Sequence, residues 1–280
     1  MNKILTKTIE AHRPWLEEQI ASGALFFVGH SGGKDSQALA AVIESWVPAD
    51  QIIYVHADLG DVEWANIQDH IRSGLPAGAE LQVVQAFYKD GTPNRLVGRI
   101  EKRAEQLVEK GTIDSTSFWP STGQRYCTGE LKAKPIWKLI RNWPGCTKTK
   151  HQTKRPVVIN CVGIRAEEGN RRKNLPPLSL NKDNDNTVRE AWDFYPLHDV
   201  TIDRVWSLIE DSGQTRHWAY DNGNDRLSCL FCVFGSRNDW RNAKEIRPDL
   251  YDTFVGLETK YGRTLHQGRT IPEWLEEEGK

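Results

Sequence analysis

A chain of 280 residues is long enough for one sizeable α/β domain with an appendage, or for two domains. Hydrophobic residues at 38% and charged residues at 27% are the balance of a soluble globular protein, and no apolar run is long enough to span a bilayer. The net charge of -1 excludes any general electrostatic pull toward nucleic acid, local patches aside.

The N-terminal segment mixes charges among its apolar positions and reads as a helix, not a signal peptide, so cytoplasm is the expected compartment. Leu5, Ile9, Trp15, Leu16 and Ile20 follow a loose helical period, with Pro14 at a start or kink. Residues 24–28 are a short continuous apolar run, as expected for a strand buried on both faces. A Gly-rich turn follows, then a helix over about 36–46. Strands are expected at 52–55, 81–84 and 157–162, with helices over 62–73 and 95–110 between them. Such alternation implies parallel pairing through crossovers, hence an α/β fold with an open, doubly wound, mainly parallel sheet. Two polar stretches read as surface loops. Residues 143–155 form a basic one carrying Lys148, Lys150, Lys154 and Arg155, and residues 181–187 form one of low complexity. Beyond Pro196 only helix-like pieces remain (202–209, 237–241, 248–260). The expected organisation is therefore a domain over 1–195 and a smaller, mainly helical region over 196–280.

Five cysteines, an odd number, do not suggest a disulfide framework. Cys229 and Cys232, two residues apart, ask for a metal or redox explanation. Most of the eleven tryptophans are expected to fill core space.

The strongest local signal is Ser31-Gly32-Gly33-Lys34-Asp35-Ser36, directly after the first buried strand. A strand, this turn and a helix place backbone N–H groups at a helix N-terminus, where the macrodipole also favours anions. Gly32 and Gly33 permit close backbone approach to a phosphate. Ser31 and Ser36 offer hydroxyls, Lys34 a positive charge, and Asp35 a carboxylate to hold Mg²⁺ or orient the loop. The spacing differs from the longer loop that grips β- and γ-phosphates. A plain glycine turn ending a strand is the competing explanation.

This run resembles the pyrophosphate loop of the N-type ATP pyrophosphatases, which cleave ATP to AMP and pyrophosphate. Further segments are similar to one branch, the phosphoadenosine-phosphosulfate reductase-like family: residues 125–136 around Arg125, Cys127 and Lys132, residues 163–172 around Gly163, Arg165 and Arg172, and residues 196–206 and 217–232. The order of five such segments carries the resemblance across about 25–240. It implies an adenine-nucleotide α-hydrolase-like fold, ATP and Mg²⁺ as ligands, and binding at the carboxyl edge of the sheet. It also implies that Ser31, Gly32, Gly33, Lys34, Asp35, Ser36, Asp58, Arg125, Gly163 and Arg172 contact ATP. Lys34, Asp35, Arg165 and Lys132 are then the expected catalytic groups, a cationic clamp for the leaving pyrophosphate. For Asp58 a plain capping role competes.

Two departures narrow the branch. Sulfonucleotide reductases generally lack the loop lysine, and they carry a nucleophilic cysteine in a C-terminal tail; here Lys34 is present and no cysteine follows Cys232. Reduction of a sulfonucleotide is therefore disfavoured. Iron–sulfur members use a cysteine pair in each of two segments, and here Cys127, Cys229 and Cys232 occupy three of the four places, with Thr128 at the fourth. Three thiolates could hold a [4Fe–4S] cluster with one open iron. Zn²⁺ with His217 or Cys161 as fourth ligand, or inert buried thiols, are the alternatives.

The leading expectation is an adenylyl-transferring enzyme that cleaves ATP to activate an acceptor for sulfur transfer, nearest in resemblance to DNA-phosphorothioation-type members. Its partners would be an acceptor that the sequence does not name, nucleic acid or a nucleoprotein complex among the options, and a cysteine desulfurase. The basic loop could track a phosphate backbone, though a mobile solvated loop is the better reading, and Trp119, Trp137 and Trp143 could stack on bases or as easily fill core space. A sulfate-activating adenylyltransferase subunit and a non-catalytic nucleotide-binding accessory subunit remain open.

Overall fold

A computed structural model describes residues 3–266 and 268–277. Six strands form one sheet in the order β3-β2-β1-β4-β6-β5. They are β1 (Leu25–Gly29), β2 (Ile52–Asp58), β3 (Leu81–Gln85), β4 (Val157–Cys161), β5 (Leu178–Leu180) and β6 (Glu190–Phe194). β1 pairs in parallel with β2 and β4, and β4 in parallel with β6, while β5 closes the edge antiparallel to β6. The expected α/β architecture is thus present, with a sheet that is mostly parallel.

Alternation along β1 explains why the strand reads as continuously apolar. Phe26 and Val28 pack on one face with Leu39, Ile43, Val205 and Leu208, which belong to the helices Lys34–Glu44 and Ile202–Asp211. Phe27 packs on the other face with Val55, Trp137 and Ile140, the last two from the helix Lys134–Asn142. Both faces are covered, so neither set of side chains can be polar.

The chain divides into two compact units that interleave in sequence. The first comprises Met1–Ala57, Asn66–Val84 and Ile136–His217, and holds nearly all of the sheet. The second comprises Asp58–Ala65, Gln85–Pro135 and Trp218–Lys280. These units do not follow a single break near Tyr195, because the Ile202–Asp211 helix packs on the Lys34–Glu44 helix of the first unit. The second unit is helical, with Leu96–Glu109, Arg237–Ile246, Pro248–Tyr261 and Ile271–Glu276 as its longer helices. Its core is aromatic: Phe254 lies within 6.0 Å, centroid to centroid, of both Trp119 and Trp240, and Phe231 within 5.4 Å of Phe254.

The tryptophans near the basic loop are corrected from base-stacking candidates to packing residues. Trp119 and Trp137 are buried, and Trp143 meets Phe27 edge-on at 6.0 Å. Among the described residues no helix is long and apolar enough to cross a membrane.

Candidate functional site

In the first unit the chain leaves β1 at Gly29 and turns through residues 30–33 into the Lys34–Glu44 helix, with Gly33 as N-cap. The turn is held from within. Ser36 Oγ donates to the Gly33 carbonyl at 2.7 Å and accepts the Ser31 N–H at 3.1 Å. Gly32 adopts φ +77, and a Cβ there would sit 2.4 Å from Ile67 Cδ1, so both backbone and space favour glycine. The N–H of Ser36 goes to the Gly33 carbonyl, while no acceptor within the chain takes the N–H of Gly33 or Asp35 among the described residues. These two donors stand at the start of an eleven-residue helix, an end where the macrodipole favours negative charge. Lys34 is largely buried (8% exposed), its Nζ 3.9 Å from Asp35 Oδ2.

Arg165 follows β4 and reaches this helix start. Its Nε donates to Asp35 Oδ1 at 2.6 Å, and its Nη1 pairs with Glu167 Oε2. Burial opposes the guanidinium charge, but Asp35, Glu168 and Glu167 outweigh it and raise its pKa. The sequence reading made Arg165 a phosphate clamp; the structure ties it to Asp35, so the two residues set each other's position. Asp35 thus gives Oδ1 to Arg165 and turns Oδ2 toward Lys34 Nζ at 3.9 Å. Gly163 has a packing reason of its own: a Cβ there would lie 2.6 Å from the Asp35 carbonyl oxygen. Arg172 pairs with Glu168 across the extended Gly169 that separates their two short helices.

Three other residues expected at the nucleotide lie in the second unit. Asp58, at the end of β2, accepts the Gly60 N–H at 2.7 Å and so shapes a turn. Arg125 lies over the Phe234 ring at 4.4 Å. Lys132 sits in a π-helical turn, Gly129–Ala133, a wide winding that is frequent at functional sites. Burial works against the Lys132 charge, yet Cys229, Glu63, Cys232 and Cys127 hold its pKa above the ordinary value. Lys132 therefore belongs with the thiols.

The Cys229–Cys232 turn is built tightly. Phe231 takes the left-handed φ of 57, rare for an aromatic residue, and its ring packs on Trp240 and Phe254. Trp64 Nε1 donates to the Ser228 carbonyl at 2.7 Å, Leu230 N–H to the Val62 carbonyl at 2.7 Å, and Trp240 Nε1 to the Cys232 carbonyl at 2.9 Å. The two thiols hydrogen-bond each other. That bond lowers the Cys232 pKa to about 5 and raises that of Cys229, while burial, with Cys232 nearby, raises Cys127. All five cysteines are free thiols.

The donor set tests the cofactors expected from sequence. Among the described residues no three His, Cys, Asp or Glu side chains converge to hold a single metal ion. Cys161 is fully buried in the core of the first unit, and His217 packs edge-on against His70 there at 4.9 Å. A mononuclear zinc centre with either as fourth ligand does not fit this arrangement. Cys127, Cys229 and Cys232 all lie close enough to Lys132 to act on its charge, and cysteine thiolates are the usual ligands of an iron–sulfur cluster.

Residues 26–234 match the family described as the phosphoadenosine phosphosulfate reductase domain. The chain belongs to this family. A curated relative, an uncharacterized protein of Methanocaldococcus jannaschii, is 21% identical over 232 residues, 83% of this chain and 47% of the relative. The chain thus spans about half the length of the curated relative it matches. Among solved structures, the phosphoadenylyl-sulfate reductase of Candida auris, a phosphate complex, aligns with a TM-score of 0.47 at 13% identity, covering 83% of this chain and 99% of that one. The U34-tRNA thiolase NcsA of Methanococcus maripaludis, solved with its [4Fe–4S] cluster, aligns with a TM-score of 0.41 at 14% identity, covering 96% of this chain and 86% of that one.

In this member of the phosphoadenosine phosphosulfate reductase domain family, sequence reasoning missed two groups of residues. Glu63 and Trp64 serve the thiol region from a short segment distant in sequence, and no motif marks them. His30, His56 and His70 surround the phosphate loop; the one available signal was a histidine immediately before Ser31.

Proposed function

We propose that the loop Ser31–Ser36 binds ATP and that the chain cleaves it between the α- and β-phosphates, releasing pyrophosphate and adenylating an acceptor for sulfur transfer. The observation that carries this reading is the preset loop, with the Gly33 and Asp35 amides unclaimed at a helix N-terminus and Lys34 beside them. Those amides and the Lys34 ammonium would stabilise charge that builds on the departing pyrophosphate. Asp35 and Arg165 position one another, and Mg²⁺ would arrive on the nucleotide's own phosphates.

Cys127, Cys229 and Cys232 would hold a [4Fe–4S] cluster, which when bound supplies an open iron able to carry sulfur. Lys132 would balance the negative charge of the thiolates, and Glu63 with the Trp64 hydrogen bond would keep that shell in place. The acceptor is the open part of the proposal, with a nucleic acid or a nucleoprotein complex among the options and a cysteine desulfurase as the sulfur donor.

ATP–pyrophosphate exchange with candidate acceptors tests the reading, with Lys34→Ala as control. Release of AMP and pyrophosphate is expected. Release of ADP and phosphate, or binding of ATP with no turnover for any acceptor, would sink the enzymatic reading in favour of an accessory nucleotide-binding role.

A further inference from the structure

The loop chemistry above has no use for a histidine, yet His30 is buried at its mouth with 3% of its surface exposed. Its ring Nδ1 lies 3.1 Å from the Gly32 nitrogen, and a backbone N–H can only donate, so Nδ1 is the bare acceptor. The single proton of the neutral ring is then on Nε2, which has no partner among the described residues. The His30 backbone is held as firmly. Its N–H donates to the Val55 carbonyl at 2.8 Å, and its carbonyl oxygen lies 2.9 Å from His56 Nδ1. A carbonyl only accepts, so His56 carries its proton on Nδ1, the opposite tautomer.

We infer that His30 is a positioning residue of the phosphate loop: its Nδ1 captures the Gly32 N–H, and His56 anchors its carbonyl, so that the loop is held in phosphate-binding shape before any ligand arrives. The inference rests on the ATP reading and deepens it by saying which amides face the phosphates. Gly32 is turned inward at φ +77 with its N–H spent on His30. Ser31 N–H is spent on Ser36 Oγ, while the N–H groups of Gly33 and Asp35 have no acceptor within the chain among the described residues. The His70 ring lies against the other side of Gly32, 3.4 Å from where a Cβ would be. Burial, with His56 and His70 close by, pushes the His30 pKa down to about 3, so the acceptor stays bare at neutral pH. Without that acceptor, the Gly32 N–H would be buried and unpaired unless the turn relaxed.

Nitrogen-15 NMR of the imidazoles in the nucleotide-free protein tests the brace directly. His30 is expected with Nδ1 bare and Nε2 protonated, unchanged over about pH 6 to 8, and the neutral ring of His56 with the reverse tautomer. Binding of inorganic pyrophosphate supplies the second arm. His30→Asn places an amide oxygen where Nδ1 was and should bind within about 3-fold of wild type, whereas His30→Phe keeps a ring without the acceptor and should bind about 5- to 10-fold more weakly. A protonated Nδ1 on His30, or a Phe variant that binds as tightly as wild type, overturns the inference. Should wild type bind no pyrophosphate, the ATP reading itself falls and takes the positioning role with it. That outcome is distinct from binding that is indifferent to the variant.

Discussion

The Ser31–Ser36 loop and the Cys229–Cys232 turn are built in opposite ways. In the first unit the cradle is backbone: unclaimed amides at a helix start, a glycine at positive φ, and side chains that mostly brace the turn. In the second unit the groups that stand out are side chains, three thiols that act on the charge of Lys132, and the backbone's part is to hold a turn with Phe231 at positive φ. A backbone cradle can be encoded in six consecutive residues. A side-chain cluster has to be gathered from segments near residues 63, 127, 132 and 229–232, and its parts carry meaning only once folded.

The largest expected effect breaks the comparison at its first term. Lys34→Ala should lower ATP–pyrophosphate exchange by about 100-fold or more, as removal of a preorganised charge stabiliser does. Cys232→Ser should leave pyrophosphate binding at the wild-type level while removing iron bound after anaerobic reconstitution. If Cys232→Ser weakened pyrophosphate binding as much as Lys34→Ala, the two regions would not be separable.

Next in size is the packing behind the loop. Gly163→Ala puts a methyl group 2.6 Å from the Asp35 carbonyl oxygen, backbone that cannot swing aside. It should destabilise the protein by about 1–3 kcal/mol, read as a lower urea midpoint at constant slope. An unchanged midpoint would mean that the β4 exit and the loop are not in contact.

Thiol reactivity sharpens the second term. In cluster-free protein Cys232, lowered to about 5 by the Cys229 hydrogen bond, should alkylate faster than the other four at neutral pH. Cys146 and Cys161, buried and pushed upward, should stay unmodified. The folded pKa lies below the ordinary thiol value, so any stability it supplies is present above that value and is lost as pH falls to about 5. Mass spectrometry that found Cys161 labelled first would contradict the placement of these thiols. The smallest effect belongs to Trp64→Phe, which removes one hydrogen bond to the Ser228 carbonyl, costs about 1 kcal/mol, and should speed amide exchange at Leu230.

Much of the fold was legible because its signals are local. β1, β3 and β4 lie within a residue or two of where apolar runs put them, β2 starts on its run and extends three residues past it, and the helices Lys34–Glu44 and Leu96–Glu109 also match within two residues. β6 was invisible although it pairs directly with β4, for its five residues include Glu190 and Asp193. Asp193 is tolerated because Asn160 and Asn181 donate to it at 2.8 and 2.7 Å, partners that adjacency in sequence does not reveal. The helix Ile202–Asp211 was legible as a helix and not as part of the first unit, since its apolar stripe does not say which helix it meets.

By itself, then, the sequence determined the loop Ser31–Ser36, the alternation that builds a parallel sheet, and the family to which both belong, because each depends on neighbouring residues and a fixed repeat. Only the tertiary structure decided that Arg165 is spent on Asp35, that Lys132 stands among thiols, and that His30 and His56 hold the loop in opposite tautomers. Each of these is a contact in which distance and desolvation, absent from any one-dimensional pattern, choose the partner.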